Sequence, residues 1–150
     1  MEPVSKNREE CAGAPAMSPY GGAALKRKRR PVILAVDDDT QMLALLRNLL
    51  IGLDYEIAIA ESGAAALGLF DSIDPDLVLT DLCMASGDGY ELIDFLRRKR
   101  RLLPILAMSG VVLAPAALAF ARKIGADDVI QKPFLRSQIV ELIDRHLRRP

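Results

Sequence analysis

Polar residues in this chain stand where short apolar runs end. Asp37, Asp38 and Asp39 follow Val32-Ile33-Leu34-Ala35-Val36, and Asp81 follows Leu77-Val78-Leu79-Thr80. Ser109 follows residues 104–108, and Lys132 comes just after Val129-Ile130. If the fold gathers these ends, three or more carboxylates share one crevice. Two like charges about 4 Å apart repel by roughly 4 kcal/mol at an intermediate effective dielectric. Protonation of one acid relieves that repulsion, and so does a bound divalent cation. Hard oxygen ligands with room left for water and phosphate suit Mg²⁺. A hydroxyl and an ammonium beside them complete a set that handles a phosphoryl group. The cation and Lys132 neutralise it, and Ser109 holds one of its oxygens. A carboxylate can act as the nucleophile in such a site, giving an aspartyl phosphate. Asp81 is the best candidate, because it stands alone at the end of its strand.

The elements that must position these residues alternate regularly. Residues 32–36 form a continuous apolar run, as a strand buried on both faces requires. Asp39 or Thr40 can cap the next helix. Its Met42, Leu45, Leu46, Leu49 and Leu50 recur at helical spacing, with a stop at Gly52. Residues 55–60 read as a second strand, and Ser62 opens an Ala-rich helix to about Ser72. Residues 76–80 form a third strand that delivers Asp81 at its carboxyl end. A loop with Gly87 and Gly89 leads into a helix through Leu92, Ile93 and Leu96. Residues 104–108 are the fourth strand. Pro115 begins a helix that ends at Gly125, and Val129-Ile130 forms a short fifth strand. A last helix carries Ile139, Leu142, Ile143 and Leu147 on one face.

Five strand–helix units in strict alternation call for an α/β fold, a parallel sheet with helices on both faces. Of the two common strand orders, five strands favour the flavodoxin-like, doubly wound order 2-1-3-4-5. Ligands bind such sheets at the carboxyl ends of the strands, where the winding reverses. That crevice lies between the first and third strands, where Asp37, Asp38 and Asp81 arrive.

Composition narrows the function classes. The chain has 150 residues, 51% of them apolar, enough for one domain with its own core. Residues 1–30 hold Pro3, Pro15, Pro19 and Gly21-Gly22 without apolar periodicity, so they are expected to be a disordered tail. The folded domain then occupies residues 31–150. Cys11 and Cys83 are too few for a disulfide framework and suit a reduced, cytoplasmic setting. No apolar run is long enough to span a bilayer, and no secretory signal opens the chain. The formal net charge of zero gives no global pull towards nucleic acid. Two basic runs, residues 26–30 and 97–101, are local features. The second closes a helix, where cations favour the dipole, and is expected to be a solvated end. The first could serve nucleic acid, an anionic membrane or a nuclear address. Without aromatic interleaving or a binding fold, nucleic acid is not expected as a partner. His146, the single histidine, is expected on the surface, and its solitude argues against a histidine phosphorelay module.

The 32–39 segment, the 76–89 segment, Met108-Ser109-Gly110 and Lys132-Pro133-Phe134 together resemble the receiver domains of two-component response regulators. The resemblance covers about residues 31–149. It implies that Asp81 accepts phosphate from a sensor histidine kinase, a phosphotransfer protein or a small phosphodonor. It implies that Asp38 ligates Mg²⁺ directly, that Asp37 acts mainly through water, and that the backbone carbonyl of Cys83 supplies a further ligand. Lys132 would contact the phosphoryl group, and Ser109 would swing towards it. The face formed by the fourth helix, fifth strand and fifth helix (α4-β5-α5) would then change its affinity for a partner. Such a domain phosphorylates and dephosphorylates itself stoichiometrically and is not a turnover enzyme. It is a monomer or a phosphorylation-dependent dimer.

Two departures stand out. Ala85 replaces a common proline in the loop after Asp81, which is expected to loosen the loop without touching the chemistry. Val129 replaces the usual switching aromatic, which puts coupling of Ser109 to such a ring in doubt. Cys83 and Val111 occupy places thought to tune phosphate lifetime.

Two other functions fit parts of the pattern. A haloacid-dehalogenase-type phosphatase also uses Asp, Mg²⁺, a hydroxyl and Lys, but its first motif wants Thr where Gln41 stands. A receiver-like interaction module that is no longer phosphorylated would tolerate Ala85 and Val129. No DNA-binding domain is expected after the last helix, so output is expected through docking to a separate partner or from the tail.

Overall fold

Three strands of the sheet are apolar along nearly their whole length, and both of their faces are covered. They are β1 (Val32–Val36), β3 (Leu77–Asp81) and β4 (Ile105–Ser109), with β2 (Glu56–Ala60) and β5 (Asp128–Gln131) at the edges. The computed structural model describes residues 29–110 and 115–148. The expected tail over residues 1–28, with Cys11, and Val111 all lie outside the described residues. Arg29 and Arg30, assigned to that tail, are described: they pair with Asp76 and Glu56 at the start of the domain.

All neighbouring strands are parallel, in the order β2-β1-β3-β4-β5. The helices are α1 (Thr40–Leu50), α2 (Gly63–Ile73), α3 (Gly89–Lys99), α4 (Pro115–Ile124) and α5 (Arg136–Leu147). Alternation along the strands divides the interior into two layers. Leu34, Val36, Val78, Ile105 and Ala107 pack against α2, α3 and α4 through Phe70, Ile93, Leu96 and Ala121. Ile33, Ala35, Leu77, Leu79, Leu106 and Met108 pack against α1 and α5 through Leu43, Leu46, Ile139 and Ile143. Leu43 is buried where the sequence pointed to Leu45, which is exposed. Helix stripes drift by a residue when the docking angle is set by neighbours rather than by the helix.

The ends of the elements follow from local chemistry. Asp39 is the N-cap of α1, its carboxylate accepting from the Gln41 N–H. Ser62 caps α2 through the Ala65 N–H. Gly52 takes φ +78° just past α1, a left-handed conformation that costs glycine little. Gly89 serves a different need. A Cβ there would stand 2.8 Å from the Leu82 carbonyl oxygen and closer still to that of Asp81. The first turn of α3 is therefore pressed against the end of β3, and only glycine fits.

Two expectations about surface residues are corrected. His146 is buried, with 3% of its surface exposed, on the same face of α5 as Ile139, Leu142 and Ile143. Its Nε2 lies 3.5 Å from Asp128. The basic run at the end of α3 is not simply solvated. Arg97 donates to the carbonyls of Gly125, Leu103 and Arg101 and pairs with Asp127 at 2.7 Å. It ties α3 to the start of β5, while Arg98 and Arg101 remain at the surface.

The glycines give a paired prediction. Gly89→Ala should cost about 2 kcal/mol or more, the scale of a forced backbone shift in a packed region. Gly68 sits in α2 with nothing near its missing Cβ, so Gly68→Ala should gain about 0.5–1 kcal/mol from helix propensity. Urea unfolding of the two variants measures both; equal effects would mean that the α3–β3 contact is not tight.

Candidate functional site

The strand register brings the sequence-selected residues to one edge. Val36 pairs with Thr80, Asp81 with Met108, and Ser109 with Gln131. Asp37, Asp81, Ser109 and Lys132 therefore leave the sheet within about one residue of each other. Backbone bonds fix the spacing: the Asp37 N–H donates to Ala60 O, Leu82 N–H to Met108 O, and Lys132 N–H to Ser109 O. The Lys132–Pro133 peptide is cis.

Asp37, Asp38 and Asp81 each present an oxygen within a cluster no wider than 4.8 Å. Asp37 is 1% and Asp81 4% exposed, whereas Asp38 lies at the mouth, open to solvent. Lys132 closes the inner side. Its Nζ is 2.6 Å from Asp37 Oδ2 and 3.2 Å from Asp81 Oδ1. Three carboxylates thus face one ammonium. Asp81 Oδ1 is buried, and its polar contact is the Lys132 ion pair. Ser109 is fully buried at the end of β4.

The electrostatics reflect that imbalance. Burial pushes the Asp81 carboxyl up, and the neighbouring Asp37 charge adds to the rise. Lys132 and the Cys83 backbone N–H pull it down without cancelling the rise. Burial draws the Lys132 ammonium down, but hydrogen bonding to Asp37 and the charges of Asp81 and Asp37 together outweigh it and hold it above its ordinary value. An all-oxygen donor set gathered within 4.8 Å and an excess of negative charge together fit a hard divalent cation.

The loop between β3 and α3 holds groups that side-chain reasoning passed over. The Ala85 N–H donates to Asp38 Oδ2 at 2.6 Å, so Ala85 does touch the acidic cluster. Asp88 accepts from Ser86 Oγ at 2.6 Å and from the Gly63 N–H at 2.9 Å, pinning the loop to the start of α2. The Asp88-Gly89 pair was the available signal; a backbone N–H leaves none. Cys83 has an exposed, free thiol. Val129 is half-buried against the α2–α4 layer, and Tyr90 and Phe120 form a ring pair with centroids 5.4 Å apart.

Comparison with known proteins decides the family. The model of the response regulator receiver domain matches residues 33–144. This chain belongs to the response regulator receiver family. Among curated relatives, the receiver is 31% identical over 117 residues to the DNA-binding transcriptional regulator NtrC of Escherichia coli K12, covering 78% of this chain and 25% of that protein. It is 33% identical over 119 residues to the transcriptional regulatory protein PrrA of Mycobacterium tuberculosis, covering 79% and 51%. The chain thus spans about a quarter to a half of the curated relatives it matches. Solved structures agree. A CheY-like receiver domain protein from Methanospirillum hungatei superposes with TM-score 0.73 at 27% identity, covering 78% of this chain and 93% of that one. A two-component response regulator from Clostridium difficile gives TM-score 0.74 at 25% identity, covering 79% and 97%. The family assignment displaces the phosphatase alternative. Among the described residues, no helix is long and apolar enough to cross a membrane.

A raised carboxyl pKa in the fold means that ionised Asp81 opposes folding. Its contribution is favourable below pH 3.8, its ordinary value, and is lost as pH rises through the raised folded value. Asp81→Asn should therefore stabilise the metal-free receiver at neutral pH by about 1 kcal/mol, the usual scale for relieving a functional-site strain. The advantage should vanish below pH 3.8, where wild-type Asp81 is protonated too. Chemical denaturation at pH 7 and pH 3.5 checks this; no gain at pH 7 would contradict the charge imbalance.

Proposed function

We propose that this receiver is a phosphorylation-operated switch whose acceptor is Asp81. The observation that carries the reading is the setting of Asp81: buried at the end of the central strand, beside Asp37 and Asp38, with Lys132 Nζ 3.2 Å from its Oδ1. The phosphodonor is a sensor histidine kinase, a phosphotransfer protein or a small acyl phosphate in a cytoplasmic setting. An Asp81 oxygen attacks phosphorus, the bond from phosphorus to the donor breaks, and the donor leaves with its electron pair. The product is an acyl phosphate on Asp81.

Asp37, Asp38, Asp81 and the Cys83 backbone carbonyl are the groups that would hold Mg²⁺, which when bound would neutralise phosphoryl oxygens. Lys132 transfers its hydrogen bonds from carboxylate to phosphoryl oxygen. Its cationic form, favoured by its neighbours, suits that role. The Ser109 hydroxyl donates to another phosphoryl oxygen and takes the backbone of Ser109-Gly110 with it. Because Gly110 leads towards α4, the movement changes the α4-β5-α5 face and its affinity for an output partner. Val129 offers no ring to rotate, so packing of α4 on the sheet carries the change. The added charge and acceptor oxygens drive the shift, and the domain is consumed stoichiometrically.

Incubation with acetyl phosphate and Mg²⁺, read by intact mass, should add one phosphoryl group. The gain should disappear in Asp81→Asn and on chelation. Full labelling of Asp81→Asn would overturn the assignment of the acceptor.

A further inference from the structure

Asp38 is the one carboxylate of the cluster at the solvent-exposed mouth, where an acidic side chain ordinarily samples several rotamers. Here it is held. Its Oδ2 accepts from the Ala85 N–H at 2.6 Å, a short distance that marks a charge-assisted bond. The donor is itself fixed. Met84, Ala85, Ser86 and Gly87 form a β-turn closed by the Gly87 N–H on Met84 O at 2.8 Å, and Asp88 anchors the next residues through Ser86 and Gly63. Ala85 occupies the second place of that turn, where proline is sterically welcome. Proline at that place would carry no N–H. The alanine that departs from the common pattern therefore supplies a hydrogen-bond donor that the pattern lacks.

We propose that the Ala85 backbone N–H is a positioning group for the cation site: it holds Asp38 by Oδ2 beside Asp37 and Asp81. The inference rests on the Mg²⁺ reading above and deepens it. A ligand held in place before the ion arrives loses less conformational freedom on binding, so the clamp raises affinity for the cation. Removing it costs part of one charge-assisted bond, worth roughly a three- to tenfold loss in Mg²⁺ affinity at a solvent-facing position.

The turn makes the test clean. Ala85→Pro deletes the N–H at a place where proline suits the backbone, and Ala85→Gly keeps the N–H as a control. Calorimetric titration of the full chain with MgCl₂ should show weaker binding for Ala85→Pro by that factor and near wild-type binding for Ala85→Gly. The loss should disappear when Ala85→Pro is combined with Asp38→Ala, since the clamp acts only through Asp38. In the metal-free protein, amide exchange at Ala85 should speed up in Asp38→Ala, a readout independent of any ion. Equal Mg²⁺ affinity of wild type and Ala85→Pro, or an undiminished loss in the Asp38→Ala background, would overturn the clamp while leaving the Mg²⁺ reading intact. Absence of Mg²⁺ binding in the wild type would overturn both.

Discussion

Three carboxylates meet one ammonium at the carboxyl edge of the sheet, and most of the local structure exists to hold that unequal set together. Asp37 and Asp81 are almost fully buried, at the ends of strands that allow neither to swing away. Lys132 is drawn from the far side of the sheet to lie 2.6 Å from Asp37. It compensates part of the charge and leaves the rest. An arrangement of this kind carries more negative than positive charge, and a divalent cation is what would balance it. The price of the site's readiness is a fold that would be more stable without Asp81 ionised.

Keeping that imbalance in place requires rigid surroundings. β1, β3 and β4 are sealed between two apolar layers, so their ends have fixed positions. Gly89 lets α3 start directly against the end of β3, and Asp88 fastens the intervening loop to α2. Across the sheet, Arg97 binds the end of α3 to the segment leading into β5. That tie sits at the opposite edge from the acids. It secures the strand that leads to Lys132.

Much of this was legible in the sequence. Apolar runs that end in Asp37, Asp81 and Ser109 named the strands, because a buried strand advertises itself by composition; the order 2-1-3-4-5 came from the count of five alternating units. Asp39, Ser62 and Gly52 marked helix ends through chemistry local to a few residues. The failures share a cause. His146 falls at the helical spacing of Ile139, Leu142 and Ile143, yet residue type outweighed periodicity in placing it at the surface. Arg97 looked like one member of a solvated run, because the carbonyls it serves come from residues 103 and 125. Ala85 acts through its backbone, and a methyl side chain gives no hint of what an N–H touches.

The receiver's relatives NtrC and PrrA are longer proteins, and the family match over residues 33–144 spans this charge cluster. The central claim is that the cluster is completed by a divalent cation. The most direct test is the melting temperature of the wild-type receiver at pH 7 as MgCl₂ is raised. Preferential binding to the folded state predicts a steady rise, about 2.7 kcal/mol of added stability at a hundredfold excess over the dissociation constant. The rise should be absent in a variant lacking the Asp37 and Asp81 charges. A melting temperature that does not respond to Mg²⁺, or responds equally in that variant, would contradict the account.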